Sequence, residues 1–204
     1  MNHNGIEHFK ENYNLSDQAV LIFPYGSRVY GTANEEKSDY DYLAVIFGKS
    51  IAKTGEEYKH GNTNVHIFEQ RDWQHQLDDH KIHTLEAYFL PDGICRSRFR
   101  LKLKTNTLRH TLSEKASHSF VKAKKKIDKE KDFYIGWKSL FHSLRILNFG
   151  IQIAVTGSIN DYSAANHYWF DLLHNPQYEW YALEEKYKPI YNELATKFRR
   201  AAPK

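Results

Sequence analysis

Tyr25-Gly26-Ser27-Arg28-Val29-Tyr30-Gly31-Thr32 is followed, after a short stretch, by Ser38-Asp39-Tyr40-Asp41-Tyr42-Leu43. An apolar run, Ala19-Val20-Leu21-Ile22-Phe23, comes before it, and another, Ala44-Val45-Ile46-Phe47, comes after. The order predicts strand, glycine turn, short helix, loop and strand, with two carboxylates opening the second strand. Residues i and i+2 of a strand face the same side, so Asp39 and Asp41 point together and Tyr40 points away. Two carboxylates on one face repel unless a cation sits between them. Paired hard oxygen ligands suit Mg²⁺ or Mn²⁺ carrying a nucleoside triphosphate. Gly26-Ser27 falls where the strand ends and a helix begins. Backbone N–H groups there can hold phosphate oxygens, glycine allows close approach, and the Ser27 hydroxyl adds a hydrogen bond.

Gly26-Ser27, a gap, then Asp39-x-Asp41 resembles the signature of the DNA polymerase β-type nucleotidyltransferase superfamily. The fuller run, Gly26 to Thr32 with Ser38-Asp39-Tyr40-Asp41, resembles a phage and bacterial branch of nucleotidyltransferases. The resemblance is carried by residues 19–47. It implies transfer of a nucleotidyl group from a nucleoside triphosphate to a hydroxyl acceptor, with release of pyrophosphate. The acceptor would be an RNA end, a protein or a small molecule. Asp39 and Asp41 would hold Mg²⁺ or Mn²⁺, Gly26 and Ser27 would cradle the β- and γ-phosphates, and Arg28 would neutralise charge there.

A third strand is expected over Asn64-Val65-His66-Ile67-Phe68, which alternates polar and apolar residues. The superfamily usually projects a third carboxylate from this strand, and the chain departs from that pattern. Asn64, His66 and Phe68 share a face and none is acidic. Glu69 is the nearest carboxylate, with parity for the opposite face unless a bulge intervenes. His66 could act as a base near neutral pH. Glu69 and His66 are therefore both catalytic candidates. A nucleotide-binding regulator without turnover, and an antitoxin-type enzyme that adds AMP to a protein, are the alternatives.

The whole chain bounds these readings. Its 204 residues suit a small catalytic domain with a helical appendage. Mean hydropathy is −0.71, and no apolar run approaches a membrane span. Met1-Asn2-His3-Asn4-Gly5 lacks the basic and apolar regions of a secretory leader. The single cysteine, Cys95, excludes an internal disulfide and a thiolate metal cluster, and predicts a cytoplasmic packing residue. A net charge of +4 fits a polyanionic partner without demanding one.

The expected fold is α+β: a small mixed sheet with helices over 1–110, then a helical domain over 111–204, with the site in the cleft between them. Residues 51–61 read as a polar loop. Helices are expected over 69–89, interrupted at Asp78-Asp79-His80, where Asp78, Asp79, His80 and His83 are better read as solvated charges than as metal ligands. Arg96-x-Arg98-x-Arg100-x-Lys102-x-Lys104 reads as a strand with five cations on one face. Phe133, Trp137, Leu140, Leu144, Leu147 and Ile151 follow the spacing of a core-facing helix stripe. Lys138, His142 and Arg145 fall at i, i+4 and i+7 on another face, a basic row suited to nucleotide. Pro189 should break the last helix, and Ala201-Ala202-Pro203-Lys204 reads as a frayed tail.

Overall fold

The computed structural model describes residues 3–48 and 53–203. The start of the 51–61 loop lies outside the described residues. The protein is α+β, a four-stranded mixed sheet with helices followed by a helical C-terminal region. Two compact units divide between Lys102 and Leu103.

The first unit begins with α1 (His3–Asn12) and then builds the sheet from β1 (Val20–Tyr25), β2 (Tyr40–Ile46), β3 (Glu57–His60) and β4 (Thr63–Glu69). The strand order is β1-β2-β4-β3. The outer pairs are antiparallel and the central β2–β4 pair is parallel. Edge position explains why β1 tolerates Pro24, which cannot donate to a ladder on both sides. One sheet face packs Val20, Tyr42, Ala44, Ile46, Val65 and Ile67 against Ile6 and Phe9 of α1. The other is covered by α3 (Gln70–Asp78) and α4 (Ile82–Tyr88). Trp73 of α3 is fully buried there, stacked on Phe23 and edge-on to Phe68. α3 ends where the sequence places the interruption, with His80 at a positive φ of 57° and buried.

Two expectations fail in this unit. The polar loop at 51–61 contains strand β3. The cationic strand after Pro91 does not form: Ile94–Arg98 is a short helix, α5, and residues 99–104 are irregular. Asp92 Oδ1 accepts from Ile94 N and Gly93 takes φ 68°, which starts the helix. Gln74 then clamps the following backbone, accepting from Arg100 N and donating to Arg100 O, so no neighbouring strand is needed. Phe99 is buried, stacked on Phe47. Cys95 is fully buried, in keeping with the packing residue expected, and burial pushes its thiol up to about 11, which does not suit nucleophilic chemistry.

The second unit is helical: α6 (Thr105–Asp128), α7 (Phe133–Thr156), α8 (Asn166–His174) and α9 (Trp180–Ala201). Asp132 caps α7, accepting from Ile135 N, and Gly157 closes it in the left-handed region. The stripe through Leu140, Leu144 and Leu147 is fully buried, and so are Ile146, Phe149 and Ile153 on other faces. α7 is thus the unit's central helix, apolar nearly all round. It approaches its neighbours closely at two glycines. A Cβ on Gly136 would meet Ile127 Cγ1 of α6 at 2.4 Å, and one on Gly150 would meet Phe198 Cζ of α9 at 2.7 Å. α9 runs through Pro189, whose ring is on the exposed side. Its C-terminus is not frayed: Ala202 is fully buried and its carbonyl accepts from Arg109 Nη1.

Candidate active site

The site forms where β1 ends and β2 begins. The strand pairings set Tyr25 opposite Asp41 and Asp41 opposite Asn64. Three neighbouring strands thereby bring one face's polar residues to one end of the sheet. Asn64 Nδ2 donates to Asp41 Oδ1 at 3.0 Å and to Asp39 Oδ2 at 3.3 Å. One nitrogen therefore bridges two carboxylates that belong to neighbouring turns of the pleat. Asp41 is half-buried and Asp39 is exposed.

Gly26 closes the other side. Its backbone, φ 79° and ψ −154°, lies in a region that side chains avoid. A Cβ there would sit 2.8 Å from Asp41 Oδ2, so glycine is required twice over. Ser27 opens α2 (Ser27–Tyr30), a single turn. Buried Tyr30 fixes that turn from below by donating to the buried carboxylate Glu86 Oε2 of α4 at 2.8 Å.

Arg28 is engaged by the loop that follows it. Its Nη2 donates to Ser38 O at 2.8 Å and its Nε to Asp39 O at 3.3 Å. The guanidinium also lies 3.8 Å over the Tyr40 ring and 3.5 Å from Glu35 Oε2. Arg28 is a brace that holds the Asp39 backbone. Asn34 shapes the same loop: its Oδ1 accepts from Glu36 N and Lys37 N, and its N–H donates to Ser38 Oγ.

Glu69 is not brought to the site. It pairs with Ile46 at the far end of β4, exposed, on the face opposite Asn64. No bulge shifts the register, so its parity holds and it cannot join Asp39 and Asp41. His66 does share the Asn64 face, one pleat further along. Its Nδ1 lies 3.2 Å from Glu57 Oε1, directly across on β3. Glu57, which the loop reading missed, and its neighbour Lys59, which pairs with Asn64, are site-face residues. The signal was present: Glu57-Tyr58-Lys59-His60 alternates, and Gly61-Asn62 is a two-residue hairpin turn.

In the second unit, Lys138, His142 and Arg145 do not form an exposed stripe. Lys138 is exposed, His142 is half-buried, and Arg145 is only 5% exposed. Arg145 Nη2 lies 2.8 Å from His142 Nδ1, and its guanidinium packs 5.5 and 5.8 Å from the Phe141 and Phe149 rings. Burial lowers the His142 pKa well below the ordinary range, and Arg145, Lys115, Lys122 and Lys138 lower it further. Its ring is neutral and Nδ1 accepts from Arg145.

No family model matches the chain, and no curated protein matches it either.

Among the described residues, no group of three or more His, Cys, Asp or Glu side chains is arranged to hold a metal. What the site offers a cation is two carboxylates and one amide. The amide's N–H edge, set between both carboxylates, marks the point where positive charge is favoured, and the donor set is all oxygen once the amide turns. The residues fit a hard divalent cation. Among the described residues, no helix is long and apolar enough to cross a membrane.

Proposed function

We propose that the first unit is a metal-dependent nucleotidyltransferase, moving a nucleoside monophosphate from a nucleoside triphosphate to a hydroxyl acceptor with release of pyrophosphate. One observation carries the reading: Asp39 and Asp41 converge on a single Asn64 nitrogen beside a glycine whose positive-φ backbone and closeness to Asp41 strain any other residue. The resemblance over residues 19–47 to the polymerase β-type superfamily supports it.

Asp39 and Asp41 would hold Mg²⁺ or Mn²⁺, which would supply charge neutralisation at the transferred phosphoryl group. Gly26 and Ser27 would receive phosphate oxygens along the backbone. Arg28 fixes the loop that presents Asp39. His66 would accept the acceptor's proton at Nε2, with Glu57 holding the Nδ1 proton and so the tautomer. Lys138, with Lys115 and Lys122 around His142, is the second unit's candidate contact for an anionic substrate. The acceptor is an RNA end, a protein hydroxyl or a small molecule. A lone, buried cysteine suits a cytoplasmic enzyme.

Asn64 also favours a second reading, a regulator that binds triphosphate without turnover, because the strand position expected to carry an acid is neutral. Pyrophosphate release separates the two. Each labelled triphosphate is offered with Mg²⁺ or Mn²⁺, total RNA and lysate protein, beside the Asp39→Ala/Asp41→Ala variant. Label transfer that the variant loses supports the enzyme. Metal-dependent binding without release supports the regulator, and neither result rejects both.

A further inference from the structure

We infer that this site takes one divalent cation with its triphosphate, not two, and that Asn64 sets that number. The inference rests on the metal-dependent reading of Asp39 and Asp41. Two-cation phosphoryl-transfer sites hold ions about 3.5–4 Å apart and need shared carboxylates to offset their repulsion. Here the protein brings two carboxylates, and the triphosphate would bring the remaining anionic oxygens. The third position facing them, on the strand paired in register with β2, holds a neutral amide.

No neighbour makes up the deficit. Glu69 is at the other end of β4 on the opposite face. Glu57 lies two strands from Asp41 and is engaged with His66 at 3.2 Å and with Lys59 at 3.7 Å. Lys59 itself pairs with Asn64 and adds a positive charge on that side. Asn64 can serve one cation well: rotation about its last torsion replaces the N–H edge with a carbonyl oxygen, a good ligand for a hard cation. It cannot bridge two. A site with one cation has no second ion to activate the attacking hydroxyl, which is why a base such as His66 is needed beside it.

The test counts ions. The protein is dialysed against Mn²⁺ and an α,β-methylene triphosphate analogue, which cannot release pyrophosphate. Bound Mn²⁺ and bound analogue are then measured, with the electron paramagnetic resonance spectrum of the bound ions. The wild type is expected to hold one Mn²⁺ per bound analogue, with an uncoupled spectrum. Asn64→Asp is expected to raise the ratio to two and to show spin coupling between adjacent ions. Asn64→Gln, which keeps the neutral amide, should stay at one and controls for folding. Two ions in the wild type overturn the inference and leave the metal-dependent reading standing. A ratio of one in folded Asn64→Asp overturns the role of Asn64. No bound Mn²⁺ in the wild type overturns the underlying reading and this inference with it.

Discussion

Gly26→Ala tests the link between backbone and site most directly. Two costs meet at this residue. The backbone at φ 79° and ψ −154° is one that a side chain adopts at roughly 1–3 kcal/mol. The new Cβ would also stand 2.8 Å from Asp41 Oδ2, a contact that real Cβ atoms do not make. The carboxylate must give way, and with it the bond from Asn64 Nδ2. With a strain near 2 kcal/mol and a urea slope of about 2 kcal/mol/M, the unfolding midpoint should fall by about 1 M. Mn²⁺-dependent triphosphate binding should be lost even at urea-free stability. Gly61→Ala is the control. Gly61 has φ 57° but open space around its Cβ, so the substitution strains the hairpin turn and touches no carboxylate. It should lower stability and leave binding intact. Equal loss of binding in both variants, or an unchanged midpoint and unchanged binding in Gly26→Ala, would refute the argument that the glycine exists to admit Asp41.

The remaining expectations are briefer. Arg28→Ala removes two bonds to the Ser38 and Asp39 carbonyls, and if about 1.4 kcal/mol of that brace reaches Asp39, Mn²⁺ affinity should fall roughly tenfold by calorimetry. Glu57→Gln should slow nucleotidyl transfer while leaving triphosphate affinity near wild type, and an equal loss in both would remove Glu57 from any role through His66. Gly150→Ala should destabilise the second unit by about 1–3 kcal/mol in urea, because the buried Phe198 ring at 2.7 Å cannot move into solvent. His142 has a folded pKa below its ordinary 6.5, so the unfolded chain binds the extra proton first. Its contribution to stability is complete above about pH 6.5 and declines as pH falls toward and through the folded value. His142→Gln should flatten that acid limb of the stability profile, and an unchanged limb would show that other groups carry it.

The elements that were legible in the sequence are those whose pattern is local. β2 is a run of apolar residues with carboxylates at one end, α7 is a long apolar helix with a glycine stop, and the α3–α4 break at Asp79-His80 is a cluster of poor helix formers. The elements that were not legible depend on partners distant in sequence. Arg96 to Lys104 alternates as a strand should, yet Gln74, twenty-six positions away from Arg100, takes the hydrogen bonds a neighbouring strand would have supplied. Pro189 costs α9 one backbone hydrogen bond on its solvent side, and the helix continues through it with Leu183, Tyr187, Leu194 and Phe198 buried on either side of it in the chain. β3 was hidden by its charge. An edge strand bearing Glu57 and Lys59 resembles a loop, because edges are protected by the same residues that loops prefer.

The same distinction governs the site. Parity put Asp39 and Asp41 on one side and gave Glu69 the opposite face unless a bulge intervened, and the strand register, which has no bulge, is what removes Glu69 from the catalytic candidates. What parity could not supply was how Arg28 is spent. In sequence it stands next to the glycine turn, where a cation for phosphate is expected. In the fold, the chain returns over it at Asp39, and the guanidinium donates to two main-chain carbonyls and lies over the Tyr40 ring. Asp39 lies outside the sheet, ahead of the first residue of β2, so no ladder fixes it. Without a brace its carboxylate would be free to swing, and two carboxylates left to themselves would swing apart. Arg28 holds the Asp39 backbone and Asn64 draws the two carboxylates together. A neutral amide and an already engaged guanidinium thus do the ordering of an anionic pair.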